Sequence, residues 1–238
     1  MSIVGKKVLL YSGGSDSWLI DKLWEPDVRL YIDIKGRYSK EEMLRLPDDV
    51  IVEEFDLHKW ERPDAILPLR NLYFIMLATN FGDDICLGAT AGDRVLDKSV
   101  KFADDTQALL NYLYSPQHWI PEGRKINLNL DFKSYTKTQL IGLYVRRGGD
   151  IEEAVHGFFS CYTPINGKEC FNCKPCFRKA VAFMQNGYTY NDEEELKLID
   201  HMKHNIIPDI LEGSYGRGKN EETDILKIYN ELSVKHGK

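Results

Sequence analysis

The sequence predicts an α/β chain: a mostly parallel sheet with helices on both faces, followed by a smaller cysteine-bearing helical region. Three observations predict it. Short β-prone apolar runs alternate with stretches of helical spacing, the trace that crossover helices between parallel strands leave in a sequence. The first run, Val8 to Tyr11, stops at Ser12-Gly13-Gly14 and gives way at once to a helical pattern. Four of the five cysteines crowd between positions 161 and 176, beyond the alternating region.

Taken in order, the helical pattern after the first strand rests on Trp18, Leu19, Ile20, Leu23 and Trp24. Val28 to Asp33 reads as a second strand, and Glu41 and Glu42 as the acidic start of a short helix. Val50 to Phe55 reads as a third strand. Pro63 and Pro68 punctuate a loop before a buried helix over Asn71 to Asn80, with Leu72, Tyr73, Ile75, Met76 and Leu77 as its core stripe. Asp84 to Gly88 is a short fourth strand, residues 99 to 114 a helix, and Ile126 to Leu130 an alternating fifth strand. Lys137 to Arg147 reads as a helix closed by Gly148-Gly149. Near the end, Glu193-Glu194-Glu195 suits a helix's first turn, with Leu196, Leu198, Ile199 and Met202 on its buried face. Glu221 to Val234 makes a last helix, with Ile225, Leu226, Ile228, Tyr229 and Leu232 on one side. The expected division is an α/β domain over 1–155 and a cysteine-bearing helical region over 156–238 packed on it.

The bend after the first strand carries the chemistry. Gly13 and Gly14 let the backbone turn sharply and approach a ligand closely. Amides at the start of a helix point outward, and the helix dipole adds partial positive charge there. Such a place suits phosphate or pyrophosphate. It lacks the Gly-Lys-Ser/Thr ending of a Walker loop and the spacing of a dinucleotide fingerprint. The plainer alternative is an ordinary strand-to-helix turn with a serine cap. In a parallel α/β sheet, ligands sit outside the carboxyl ends of the strands, where this bend falls.

Composition narrows the classes. A chain of 238 residues, 43% apolar, is long enough for one buried α/β core and an appendage. A net charge of −6 argues against direct nucleic-acid binding. No stretch approaches a membrane span, and no secretory apolar core stands at the start. The expectation is a cytoplasmic protein with no membrane partner.

Cys161, Cys170, Cys173 and Cys176 have the spacing of four thiolates around one tetrahedral Zn²⁺, with two tight C-x-x-C turns and one incoming strand. Four sulfur ligands leave no open position, so the expected role is structural. A redox C-x-x-C pair and an iron–sulfur cluster are the alternatives. Cys86 falls mid-strand, as a small buried hydrophobe does. His58, His118 and His156 have no metal spacing among them and read as non-catalytic.

Ser-Gly-Gly-x-Asp-Ser at positions 12 to 17 resembles the PP-loop of the ATP pyrophosphatase superfamily, whose members split ATP into AMP and pyrophosphate. Together with Ser-Cys-Tyr-x7-Cys-x2-Cys-x2-Cys from Ser160 to Cys176, it resembles the 7-cyano-7-deazaguanine synthase (QueC) family over roughly residues 6 to 183. Asp33 with Glu41 eight residues on, Pro68-Leu69-Arg70-Asn71, Gly88 after a strand, and Lys137 opening a helix keep the family's order. Departures gather on the side that would meet the base. Lys35-Gly36-Arg37-Tyr38-Ser39 replaces Gly-Gln-Arg-His-Arg, and Asp93 to Lys98 keeps only the family's leading aspartate. Leu69 stands for the glycine of Pro-Gly-Arg-Asn. Lys179, with Arg178 beside it, stands for the arginine three residues past the last cysteine.

The resemblance implies a Rossmann-like fold of the adenine nucleotide alpha hydrolase type with a four-cysteine zinc site. It also implies ATP with Mg²⁺, 7-carboxy-7-deazaguanine and ammonia as the reacting molecules, and a homodimer. Ser12, Gly13, Gly14, Ser15, Asp16 and Ser17 would hold the departing pyrophosphate, with Asp16 toward Mg²⁺. Arg70 and Lys137 would neutralise phosphate charge; ordinary surface cations are the alternative. Asp33 is expected at the ribose, or simply as a turn cap, and Gly88 at the nucleotide. Glu41, Asn71 and Asp93 are assigned to the substrate. The implied product is the nitrile, made in the service of queuosine-type or deazaguanine modification. Two other readings remain: an adenylating enzyme that stops at the amide or transfers the acyl group to another amine, and a non-enzymatic zinc and nucleotide module.

Overall fold

The computed structural model describes residues 3–238 except 94, 162 and 165. Arg94 of the altered Asp93–Lys98 segment and Tyr162 of the Ser-Cys-Tyr motif lie outside the described residues. The chain divides into two compact units, one running through Ser134 and the other from Tyr135 to Lys238.

The first unit is a five-stranded sheet whose paired strands are all parallel, in the order β3-β2-β1-β4-β5. Its elements in chain order are β1 (Lys7–Leu10), α1 (Ser15–Trp24), β2 (Val28–Asp33), α2 (Ser39–Met43) and β3 (Ile51–Glu54). They continue with α3 (Arg70–Ala78), β4 (Asp84–Cys86), α4 (Val100–Leu113) and β5 (Asn127–Asn129). β1 lies in the middle: Val8 pairs with Val28 of β2 on one side and Ile85 of β4 on the other. The chain moves outward from β1 through β2 to β3, then returns to β1's other flank for β4. That reversal makes the edge between β1 and β4 the topological switch point, where such sheets bind ligands.

Strands covered on both faces explain the near-continuous apolar runs. Val8, Leu30, Ile32, Ile85, Ile126 and Leu128 form the core with Ile75 and Ala78 of α3 and Ala103 and Leu110 of α4. Gly82, in the turn before β4, is required by close approach. A Cβ there would lie 2.4 Å from the Lys6 carbonyl oxygen, which accepts from the Asp83 and Asp84 amides.

One expectation about a buried face is corrected. The stripe expected in α3 is buried at Asn71, Ile75 and Ala78, while Met76 is 42% exposed. The helix buries one face only, and Met76 falls outside the 71/75/78 row. All four residues of β3, an edge strand, are exposed.

The second unit is helical: α5 (Lys137–Arg146), α6 (Ile151–His156), α7 (Lys174–Met184), α8 (Asp192–His201), α9 (Ile207–Leu211) and α10 (Lys219–His236). Capping boxes start α5 (Thr136 with Gln139) and α8 (Asn191 with Glu194). A further correction falls in α8. Leu196 is exposed, and Glu195 takes the inward position instead, with its carboxylate 2.6 Å from both Lys235 Nζ and His236 Nε2. An ammonium and an imidazole, both from α10, offset the desolvation of that carboxylate. No helix among the described residues is long and apolar enough to cross a membrane.

Candidate functional site

The bend after β1 is built by the strand and the helix it joins. Tyr11 N–H extends the ladder by donating to Leu30 O at 2.8 Å, and then Gly13 turns the chain with φ +71°. Gly14 caps α1 in an extended conformation, and the first bond inside the helix is Trp18 N–H to Gly14 O. Ser17 ties the bend together: its hydroxyl donates to Gly14 O at 3.0 Å and accepts from Ser12 N–H at 3.3 Å. Ser15 Oγ donates to the Asp16 carboxylate at 3.2 Å. The result is a short arc of amides and hydroxyls at the amino end of α1, outside the carboxyl end of the central strand. Geometry and dipole both favour an anion there.

Neighbouring strand ends bring other expected residues to the same edge of the sheet. Gly88 follows β4 with φ +62°, and a Cβ on it would lie 3.8 Å from Leu10 O at the end of β1. Asp93, in the loop beyond, accepts from Thr90 N–H at 2.9 Å and pairs with Lys98 Nζ at 3.2 Å. Lys133 Nζ bonds the carbonyls of Thr90 and Asp93, which fastens that loop after β4. Asp33 ends β2 fully buried. Burial pushes its carboxyl up, but bonds from the Lys35 ammonium, the Lys35 amide and Ser39 hold it below the usual carboxylate range. Asp33 therefore caps its own turn, accepting from Lys35 N–H at 2.8 Å.

Arg70 and Asn71 open α3. Arg70 is exposed, with its guanidinium 5.8 Å from the centre of the Phe74 ring, and Asn71 is buried. The residue before them, Leu69, has φ +61°, the left-handed region that glycine enters without steric cost. Leu69, where the resemblance expects glycine, takes that conformation with a side chain attached. Glu41 lies exposed on α2, beside a bond from Tyr31 Oη to Glu42 Oε2 of 2.8 Å. Cys86 is buried in β4, and burial pushes its thiol up to about 12, which suits a packing residue and not a nucleophile.

Lys137 belongs to the second unit, as the first residue of α5 after the Thr136 cap. The four clustered cysteines belong there too. Their sulfurs all lie within 4.8 Å of one another. Tetrahedral Zn–S bonds of about 2.3 Å put sulfurs about 3.8 Å apart, so this set fits a metal ion of that kind with slight tightening. Amides already aim at the sulfurs: Cys170 N–H lies 3.4 Å from Cys161 Sγ, and Asn172 N–H 3.4 Å from Cys170 Sγ. Burial pushes the Cys161 and Cys176 thiols up. Cys170 is also desolvated, yet bonds from Thr163 and the Asn172 amide bring it down to about 7. Cys173 caps α7 and Cys176 sits in its first turn. The expected incoming strand is absent among the described residues: Cys161 arrives on irregular backbone. A metal ion satisfies such a segment without a ladder partner.

Several residues around the sulfurs were not singled out as site residues. Glu169 accepts from Ser160 N–H and pairs with Lys179, and His201 Nδ1 meets Asn172 Oδ1 at 2.9 Å. Their signal in sequence is faint, because the contacts depend on how the loop from 161 to 173 closes.

The sequence matches the family model described as queuosine biosynthesis protein QueC over residues 28–187, a span that begins after the Ser12–Ser17 bend and includes all four clustered cysteines. Among curated relatives, the 7-cyano-7-deazaguanine synthase of Leptospira biflexa is 28% identical over 134 residues, 53% of this chain and 52% of the relative. That of Leptospira interrogans serovar copenhageni is 24% identical over 143 residues, 57% of this chain and 56% of the relative. That of Sulfolobus acidocaldarius is 24% identical over 131 residues, 55% of this chain and 26% of the relative. The chain thus spans about half the length of the Leptospira relatives and about a quarter of the archaeal one. No solved structure is matched.

Proposed function

The chain belongs to the QueC family, and from that premise we propose that it converts 7-carboxy-7-deazaguanine and ammonia to 7-cyano-7-deazaguanine at the expense of ATP. The observation that carries the proposal is the place of the Ser12–Ser17 bend, outside the carboxyl end of the central strand at the sheet's switch point. A carboxylate is a poor acceptor for ammonia because its leaving group would be oxide. Transfer to the α-phosphorus of ATP solves this. A carboxylate oxygen attacks phosphorus, pyrophosphate leaves, and the acyl group now carries AMP. Ammonia adds to that carbon, AMP departs with the former carboxylate oxygen, and one proton is released to give the amide. A second ATP takes the amide oxygen in the same way; loss of AMP and a further proton leaves the nitrile.

In this reading the amides from Ser12 to Ser17, with the Ser12, Ser15 and Ser17 hydroxyls, receive the charge that accumulates on departing pyrophosphate. Arg70 and Lys137 add positive charge toward the phosphates. Asp16 would hold Mg²⁺, which supplies further neutralisation of the phosphate oxygens when bound. Cys161, Cys170, Cys173 and Cys176 would hold Zn²⁺, whose four sulfur ligands leave it a structural part. Asn71, Glu41 and Asp93 remain assigned to the deazaguanine or the incoming ammonia, with Gly88 and Asp33 at the nucleotide.

The test is direct. Protein with ATP, Mg²⁺, ammonia and the carboxy-deazaguanine should release AMP and pyrophosphate and yield the nitrile by mass spectrometry. No substrate-dependent AMP would overturn the proposal. One observation favours a second reading: the Asp93 carboxylate is engaged by Thr90 N–H and Lys98, within the segment that departs most from the family. An acceptor site altered there would stop at the amide or pass the acyl group to another amine. Amide accumulating under excess ATP distinguishes it.

A further inference from the structure

Beyond the four sulfurs, the second unit contains a buried ion pair with no place in the proposed chemistry. Lys179 is 3% exposed, on α7 three residues after Cys176 and so on the same side of the helix. Its Nζ lies 2.9 Å from Glu169 Oε2 and 3.0 Å from Phe158 O, and 4.6 Å from the centre of the Phe158 ring. The other oxygen of Glu169 accepts from Ser160 N–H at 2.7 Å. These bonds join three pieces of chain. Phe158 and Ser160 lead into Cys161, Glu169 directly precedes Cys170, and Lys179 extends from the helix that begins with Cys173 and Cys176.

We propose that Glu169 and Lys179 are positioning residues for the metal, a staple that holds the Cys161 limb, the Cys170 limb and α7 at the separation a tetrahedral ion requires. The physical need is clear. Cys161 has no strand or helix to fix it, and eight residues separate it from Cys170. Closing that loop around an ion costs conformational entropy that grows with its freedom. A carboxylate bonded at both oxygens, one to each limb's support, removes much of that freedom before the ion arrives. The pair is neutral, so it adds no net charge beside four thiolates. Partners that orient metal ligands in this way typically change metal affinity about 10–100-fold when removed. The inference rests on the reading of the four cysteines as a zinc site.

The test uses the full chain purified with zinc, in three steps. Metal content of the unaltered protein comes first: one zinc per chain is expected, and none would overturn the zinc reading itself. Zinc transfer to an excess of a coloured chelator is then timed for Lys179→Met, Glu169→Gln and the double variant. Each single variant should release zinc at least about tenfold faster. The double variant should be no faster than the worse single one, because both residues act in one device. Cobalt(II)-loaded protein gives the third readout: its ligand-field bands should shift in both single variants, a change that general loosening elsewhere would not produce. Unaltered release and bands in folded Lys179→Met, or single effects that multiply in the double variant, would overturn the staple. Should Lys179→Met fail to fold, Glu169→Asp, which shortens the arm by one methylene, decides the matter by the same two readouts.

Discussion

Adjacent glycines in the bend after β1 should behave oppositely. Gly13 has φ +71°, whereas Gly14 has φ −81° and ψ 168°, a conformation open to any residue. Space is available at both: a Cβ on Gly13 would meet Leu46 Cδ2 at 3.5 Å, and one on Gly14 would meet Ser12 Oγ at 3.5 Å. What differs is backbone conformation. Holding alanine in the left-handed region costs about 1–2 kcal/mol. Gly13→Ala should therefore lower the stability of the first unit by about 1–2 kcal/mol in urea unfolding followed by tryptophan emission. Gly14→Ala should change it by less than about 0.5 kcal/mol, because alanine's weakness as a cap and its lower freedom in the unfolded chain act in opposite directions. If the bend instead relaxes to relieve the alanine, stability recovers but its amides turn away from the ligand. The same cost of about 1–2 kcal/mol then emerges as a roughly 5- to 30-fold slower AMP release. Equal destabilisation at the two positions would refute the conformational argument, as would a Gly13→Ala protein with full stability and full rate.

Other outcomes follow from the same geometry. Asp16→Ala should reduce AMP formation by about 100-fold or more while leaving far-UV circular dichroism unchanged; a coupled AMP assay reads it, and near-normal turnover would remove Asp16 from the reaction. Cys173→Ser should lose the metal and unfold the second unit, so a folded, metal-free variant would contradict a structural metal. Arg124 is nearly buried, bonded to Asp83 and to the carbonyls of Thr79 and Gly82, so Arg124→Met should cost about 3 kcal/mol by leaving the Asp83 carboxylate with the Gly5 amide but no counter-charge; urea midpoints measure it. Glu221 is pushed up by desolvation but held below the usual range on balance by Arg178, which bonds it at 2.6 and 3.0 Å, and by Tyr215. A depressed carboxyl stabilises the fold above its unfolded value of about 4.3 and loses that contribution as pH falls through its folded value. Acid unfolding of the second unit should therefore be less pH-dependent below about pH 4 in Glu221→Gln.

The parallel sheet was legible because the inner strands β1 and β2, mostly buried, carry largely apolar runs. Val28–Asp33 matches the expected limits, while the other four strands fall short of theirs at one end or both. Helix ends with side-chain caps, at Ser99 and Thr136, fell within a residue of expectation for a local reason: the cap and the amide that donates to it lie three residues apart. Burial was less legible where partners come from afar. Leu196 and Met76 carry apolar side chains yet face outward, and Glu195 faces inward only because Lys235 and His236 arrive from α10.

What the sequence determined by itself was the alternation of strands and helices, the glycine bend and the spacing of the four sulfurs. All are local patterns in which a residue's neighbours along the chain set its conformation. Only the tertiary structure decided that β1 is central and that Glu195, not Leu196, turns inward from α8. It alone also decided that Glu169 and Lys179 tie the cysteine limbs together. Those outcomes depend on pairing between segments distant in sequence, and short-range periodicity does not encode such pairing.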